Sequence, residues 1–406
     1  MIKLEVVKMI SRDQYLNNLI RLKDKEVIKV VTGIRRCGKS TLFELYQEYL
    51  MNHGVSAQQI IKFNLEDGDY AEIEEYKALY QLVKDKILPD KMNYIFLDEV
   101  QRVKDFQKAV DSLYIKKNCD VYITGSNAFL FSGELATLLS GRYIEIKMLP
   151  LSFKEYCSVF PTDRNIDRLY QQYLIDSSFP YVLQLDHQRD IRQYLEGIVD
   201  SIILKDIVAR NQISDVNMLQ SVVRFLFDNI GNLCSTKKIA DTMTSAGRKI
   251  TVHTVERYCT ALIDSFIFYR VGRYDIKGKQ YLKTGDKYYA ADVGLRTTVL
   301  GRKKADDGHI LENIVYLELL RRGYEVYVGK IGSVEVDFIA IGKEGEEYYQ
   351  VAYTVNDADG KTLKRELEPL DAIKDHNPKY LLTMDPVPFV SHNGIKQINV
   401  LDWLLK

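Results

Sequence analysis

The sequence predicts an α/β chain of several domains that opens on a parallel sheet, and three observations carry that expectation. Apolar runs at residues 27–31, 60–63, 94–97 and 121–124 are separated by helix-length segments, the pattern of a parallel sheet covered on both faces. From 153 to 230 the apolar residues fall at helical spacing instead, as in Tyr170, Tyr173 and Leu174 or Val222, Val223, Phe225 and Leu226. Beyond 266, strand-like runs return on both sides of a long amphipathic helix marked by Leu311, Val315 and Leu319. At 406 residues the chain exceeds what one core of ordinary size accommodates.

The first run, Val27-Ile28-Lys29-Val30-Val31, ends in Thr32-Gly33, and helical spacing starts with Leu42, Leu45, Tyr46 and Tyr49, which reads as strand, glycine loop, helix. The alternation stops near Leu149-Pro150-Leu151. Four domains are expected: 1–152, 153–230, 231–302 and 303–406.

Lys+Arg and Asp+Glu are both 56, so net charge argues for neither a nucleic-acid nor a membrane partner. The five cysteines are scattered, without a Cys-x-x-Cys pair, which speaks against a disulfide framework or a zinc site and fits a reducing, cytoplasmic setting. No run approaches 18 uninterrupted apolar residues, so no membrane span or signal peptide is expected.

The chemistry concentrates at Gly33, Ile34, Arg35, Arg36, Cys37, Gly38, Lys39, Ser40 and Thr41. In Gly-x-x-x-x-Gly-Lys-Ser the glycines let backbone N–H groups wrap a phosphate. The following helix turns its positive end toward it, Lys39 adds a charge on the β/γ oxygens, and Ser40 can ligate magnesium. The run 94–97 ends in Asp98-Glu99, which a buried parallel strand presents at its carboxyl edge beside that loop. Asp98 would hold Mg2+ and Glu99 would orient the attacking water on ATP. Ser126 or Asn127, after the run 121–124, either senses the terminal phosphate or caps a turn. Arg142 is either a charge-stabilising finger, for its own site or a neighbour's, or a surface ion pair.

Thr-Gly-Ile-Arg-Arg-Cys-Gly-Lys-Ser-Thr (32–41), Phe-Leu-Asp-Glu-Val-Gln (96–101), Ile-Thr-Gly-Ser-Asn (123–127), Leu-Ser-Gly-Arg (139–142) and Leu-Pro-Leu-Ser-Phe-Lys-Glu-Tyr (149–156) together resemble the AAA-type ATPases of bacteria and archaea that carry an uncharacterised C-terminal domain. The resemblance spans essentially the whole chain. It implies an AAA-like P-loop NTPase core with Gly33 to Thr41 on ATP, Asp98-Glu99 as the Walker B pair, Ser126-Asn127 as sensor and Arg142 as finger. It implies no particular cellular task.

Residues 235–258 have the order helix, glycine turn, capped helix, with following strands that could form a wing, so 231–302 reads as a winged-helix-like domain. Twelve Lys/Arg against six Asp/Glu between 235 and 300 would attract a phosphate backbone, although such units also contact proteins. In the tail, Glu312, then Asp337 within Val334-Glu335-Val336-Asp337-Phe338, then Gln350 within Tyr348-Tyr349-Gln350-Val351-Ala352 follow the order of a restriction-endonuclease-like core and resemble the family's tail domain. In an active enzyme these three would gather magnesium, and a lysine two residues on would activate water. Ala352 stands at that position, so a degenerate fold used for binding is expected.

The expected function is thus an ATP-hydrolysing switch whose C-terminal half contacts DNA or a protein, with an oligomer compatible. The alternatives are a nucleotide-binding interaction module without turnover and an ATP-regulated nuclease.

Overall fold

The computed structural model describes residues 10–128, 139, 141–301, 306–386 and 390–406, apart from the side chains at 283 and 284. The chain divides into two units, residues 1–150 with 264–266, and residues 151–263 with 267–406. Ser140, part of the Leu-Ser-Gly-Arg motif, lies outside the described residues, as does the boundary expected at 302–303.

In the first unit, α1 (Asp13–Leu22) precedes β1 (Ile28–Thr32), α2 (Lys39–Asn52), β2 (Ile60–Asn64), α3 (Tyr76–Lys84), β3 (Asn93–Asp98), α4 (Phe106–Tyr114), β4 (Cys119–Gly125) and β5 (Tyr143–Lys147). The sheet runs β2-β3-β4-β1-β5 with every pairing parallel. β1 and β3 are buried along their whole length, which is why their sequences are nearly continuous apolar runs. β5 was not expected. In its sequence Tyr-Ile-Glu-Ile-Lys the charged Glu145 and Lys147 interrupt the apolar run and only Ile146 is buried, as suits an edge strand.

Helices cover both faces of this sheet. Leu79 and Val83 of α3 and Ala109, Val110 and Leu113 of α4 pack with Ile28, Val30, Ile95, Leu97, Val121 and Ile123 in one apolar core. Against the other face, Phe43 and Tyr46 of α2 meet Phe96 and Tyr122, with Phe43–Phe96 at 5.1 Å and Phe96–Tyr122 at 4.8 Å between ring centres. The register pairs Thr32 with Gly125 and Asn64 with Asp98, so the carboxyl ends of β1 to β4 finish along one edge. In open parallel sheets that edge is where ligands bind.

The second unit begins with helices Phe153–Cys157, Ile166–Asp176, Gln188–Ser201 and Val216–Asp228. A short strand β6 (Leu233–Cys234), helices Thr236–Ser245 and Val252–Asp264, and strands β7 (Phe268–Asp275) and β8 (Gln280–Ala290) follow. After helices Val293–Leu300 and Asp307–Arg321 come β9 (Glu325–Ile331), β10 (Val334–Gly342), β11 (Gly345–Ala352), helix Lys361–Ala372, β12 (Lys379–Thr383), β13 (Val390–His392), β14 (Ile395–Asn399) and helix Val400–Leu404. All nine strands share one sheet in the order β13-β14-β12-β11-β10-β9-β7-β8-β6. The parallel pairing of Arg273, Tyr274 and Asp275 with Val328, Gly329 and Lys330 joins its two parts. The strands expected in separate units on either side of residue 302 therefore lie in one continuous ladder. Among the described residues, no helix is long and apolar enough to cross a membrane.

Candidate functional site

The loop between β1 and α2 has the backbone its glycines foretell. Gly38 takes φ +103° as the residue preceding α2. A Cβ on Gly33 would stand 2.1 Å from the Met148 carbonyl oxygen, so a side chain there would displace backbone. Arg36 adopts φ +69°, a left-handed conformation that costs a non-glycine residue about 1 kcal/mol. The loop is nevertheless tightly tied. Ile34 and Cys37 are buried, the Cys37 N–H bonds the Ile34 carbonyl at 3.3 Å, and burial pushes the Cys37 thiol up. The Arg12 guanidinium donates to the carbonyls of Cys37 at 3.1 Å and Leu149 at 2.6 Å, fixing the loop to the segment that leaves β5.

Lys39 is buried beneath the loop and donates to the carbonyls of Gly33 at 3.0 Å and Ile34 at 3.3 Å. Its ammonium stands 3.8 Å from Glu99 Oε1. Ser40 and Thr41, in the first turn of α2, are exposed. Because the unpaired N–H groups of that turn carry partial positive charge, the opening selects for an anion.

Asp98 is the last residue of β3, and Glu99 follows at φ +52°, which turns its carboxylate back toward Lys39. Thr124 of β4 holds both acids: its hydroxyl donates to Asp98 Oδ1 and accepts the Glu99 N–H at 3.0 Å. Burial pushes the Asp98 carboxyl up, while hydrogen bonds from Ser40 and Thr124 pull it back. Glu99 Oε2 accepts from Ser126 at 3.1 Å and from the Gln101 carboxamide, which also approaches Ser126 at 3.4 Å. Asn127 is buried beside Ser126 at the same edge. The structure thus brings Gly33–Thr41, Asp98, Glu99 and Ser126–Asn127 to one edge.

Thr124, Gln101 and Glu66 were not singled out from the sequence. By sequence Thr124 reads as a strand residue and Gln101 as the end of a motif, since neither is acidic or basic. Glu66, two residues beyond β2, accepts from Arg35 at 3.1 Å and Arg102 at 3.0 Å. Burial works against its charge, yet the two guanidiniums hold the Glu66 carboxyl below its ordinary range.

Arg142, expected as a finger, does not stand at its own phosphate edge. Its carbonyl accepts the N–H of Ile28, the first residue of β1, and the parallel register sets Tyr143 opposite Ile28 and Lys147 opposite Thr32. Four residues of strand, about 13 Å, separate it from the phosphate edge. Its guanidinium pairs with Asp111 and lies over the Tyr114 ring, 5.8 Å from the centre.

In the second unit, Glu312, Asp337 and Gln350 come together, along with a lysine that the sequence did not single out. Glu312 accepts from Lys287 Nζ at 2.9 Å and the Tyr289 hydroxyl at 2.6 Å, and Lys287 also meets Glu335 at 2.8 Å. Asp337 accepts the Val351 N–H at 2.8 Å, and the Gln350 carboxamide accepts the Asp337 N–H at 3.3 Å while donating to Glu366 at 2.9 Å. Burial and the Glu312 charge push the Asp337 carboxyl well above the usual range. Burial also works against Glu312, yet Lys287, His309 and Tyr289 hold it low.

The residues at the phosphate edge fit a magnesium ion. Ser40 and Asp98 supply hard oxygen donors within hydrogen-bond reach of each other, and a small divalent cation takes such donors together with phosphate oxygens.

Residues 25–157 match the model of an AAA domain, and residues 167–306 match a domain of unknown function (DUF8612). An uncharacterized protein of Haemophilus influenzae is 43% identical over 402 residues, covering 98% of this chain and 99% of that protein. An uncharacterized protein of Methanocaldococcus jannaschii is 29% identical over 366 residues, covering 86% of this chain and 79% of that protein. Among solved structures, a Walker-type ATPase of Pyrococcus abyssi covers 74% of this chain and 98% of its own, at 15% identity and a TM-score of 0.49. At 43% identity over nearly its full length, this chain belongs to the family of the Haemophilus influenzae protein, with an AAA domain followed by a domain of unknown function.

Proposed function

We propose that the chain binds ATP with magnesium and hydrolyses it, and that the two nucleotide states switch a contact made by the C-terminal half. The observation that carries this reading is Lys39, buried in a glycine-flanked loop and facing Asp98 and Glu99 at the same sheet edge. Magnesium would draw charge from the β- and γ-phosphate oxygens, and Ser40 and Asp98 are the residues that would hold it.

The remaining steps belong to the chain. N–H groups of residues 33–39 and the Lys39 ammonium grip the phosphates, because the carbonyls that Lys39 now serves are neutral and weaker acceptors than a phosphate oxygen. Glu99 is fixed through Oε2 by Ser126 and Gln101, and its Oε1 orients water in line with the terminal phosphate. Thr124 keeps Asp98 and Glu99 in register. Phosphate release by the wild type, measured beside a Glu99→Gln variant that still binds ATP, tests this. Equal and negligible release by both would support a nucleotide-holding module instead.

Between 235 and 300 twelve Lys/Arg stand against six Asp/Glu; Lys287 and Arg296 are buried in ion pairs, and the excess that the others still give supports a winged-helix-like DNA contact. Such a contact should weaken steeply with salt; salt-independent capture of a protein would argue against it. For the tail we favour a restriction-endonuclease-like fold that binds and does not cut. Lys287 offsets one of the two charges of Glu312 and Glu335 at contact distance, so the charge that would recruit a metal is reduced within the chain. Metal-dependent nicking that disappears in Asp337→Ala would overturn this.

A further inference from the structure

Arg142 stands at the far edge of the sheet from its own phosphate site, while two other arginines stand at the phosphate edge. Arg35 belongs to the phosphate loop itself, and Arg102 lies three residues beyond Glu99. Both reach Glu66, at 3.1 and 3.0 Å, so one carboxylate ties the loop to the segment that carries the water-orienting acid. The pairing differs from the buried ion pairs elsewhere in the chain. Glu66, the carboxylate both arginines share, is 35% exposed, so its ion pairs are partly screened and contribute little to stability, and either arginine can be drawn from it by a more highly charged partner. Arg35 is only 12% exposed, and its planar fork suits two phosphate oxygens as well as two carboxylate oxygens.

Resting on the ATPase reading above, we propose that Arg35 passes from Glu66 to the terminal phosphate of bound ATP, supplying from the same chain a transition-state charge that Arg142 does not bring to its own site. Glu66 keeps the guanidinium beside the loop before ATP arrives and remains paired with Arg102 afterwards. The exchange makes the link between the loop and residues 99–102 depend on the third phosphate, since ADP carries no group for Arg35 to reach. A terminal phosphate bears more negative charge than a carboxylate, and charge-assisted bidentate bonds strengthen as that charge develops.

The test uses the full chain, with calorimetry of ATP·Mg and ADP·Mg and phosphate release across a range of protein concentrations. Arg35→Ala should lower turnover about a thousandfold, the usual scale for such an arginine. It should weaken ATP about tenfold and leave ADP within about twofold, because one charge-assisted contact to the third phosphate is lost. A cation from the same chain makes the deficit equal at every protein concentration. Glu66→Gln, which removes the carboxylate that competes for Arg35, should raise the preference for ATP over ADP by about threefold. Arg35→Ala with wild-type turnover, or with ATP and ADP weakened alike, overturns the inference. Should Arg35→Ala fail to fold, an unchanged ATP-to-ADP ratio in Glu66→Gln overturns it. Lys39→Ala separates the two levels of argument: if it abolishes ATP binding while Arg35→Ala is silent, the ATPase reading stands and only the role of Arg35 falls. If wild-type protein binds no ATP·Mg, both fall.

Discussion

Each unit buries a lysine near carboxylates, and the two are matched very differently. Lys39 has only neutral carbonyls at hydrogen-bond distance, with Glu99 set back at 3.8 Å. Lys287 touches two carboxylates, Glu312 at 2.9 Å and Glu335 at 2.8 Å, and their charges, with that of Asp337, hold its ammonium up against the opposing effect of burial. A buried charge without a contact counter-ion creates a field that an incoming ligand can satisfy. One that is fully matched from within the chain fixes strands and helices relative to each other instead. Lys287 does so by linking β8 to Glu312 on the helix Asp307–Arg321 and to Glu335 on β10. On the function proposed above, ligand binding falls to the first lysine and fold integrity to the second.

The sharpest test of that assignment lies beside Lys39. Glu99→Gln should cut steady-state phosphate release by about three orders of magnitude while ATP affinity by calorimetry stays within a few-fold, because it removes water positioning and not the phosphate grip. Next comes the other lysine. Lys287→Met should destabilise the chain by about 3 kcal/mol in urea unfolding, since Glu312 is left buried without its ion pair. Adding Glu312→Gln should recover part of the loss, and a Lys287→Met protein as stable as wild type would erase the distinction between the two lysines.

Lys39→Ala should weaken ATP·Mg about a hundredfold with little change in the urea midpoint, the reverse of the Lys287 result. The smallest effect concerns pH. The folded carboxyl of Glu66 is held below its ordinary value of 4.5, so the stabilisation it provides is present above that value and is lost as pH falls through the folded value. Acid titration of stability should be shallower below about pH 4.5 in Glu66→Gln than in wild type, by a margin limited by the partial exposure of the pair.

Much of the phosphate site was legible because its parts are contiguous. The loop needs Gly33 and Gly38 at fixed spacing, and the acids follow directly on the apolar run of β3, so one-dimensional pattern and three-dimensional position coincide. The strands β1 to β4 were legible from their apolar runs, while β5 was hidden by Glu145 and Lys147. Thr124, Gln101 and Glu66 were illegible because their importance lies in which distant residue they meet, and nothing in their type announces it. Arg142 shows the converse. Its motif suggested a finger, but strand direction carried it to the opposite edge.

The sequence alone determined that this chain builds a parallel sheet with a phosphate loop and an acid pair, since local backbone freedom and hydrophobic period suffice for both. Tertiary structure decided which charges would be answered within the chain: it matched Lys287 to Glu312 and Glu335, gave Arg35 and Arg102 one shared carboxylate, and left Lys39 facing carbonyls. The physical reason is that Coulomb interactions depend on separation in space, and strand order and direction, which set that separation, are settled only when the whole sheet assembles.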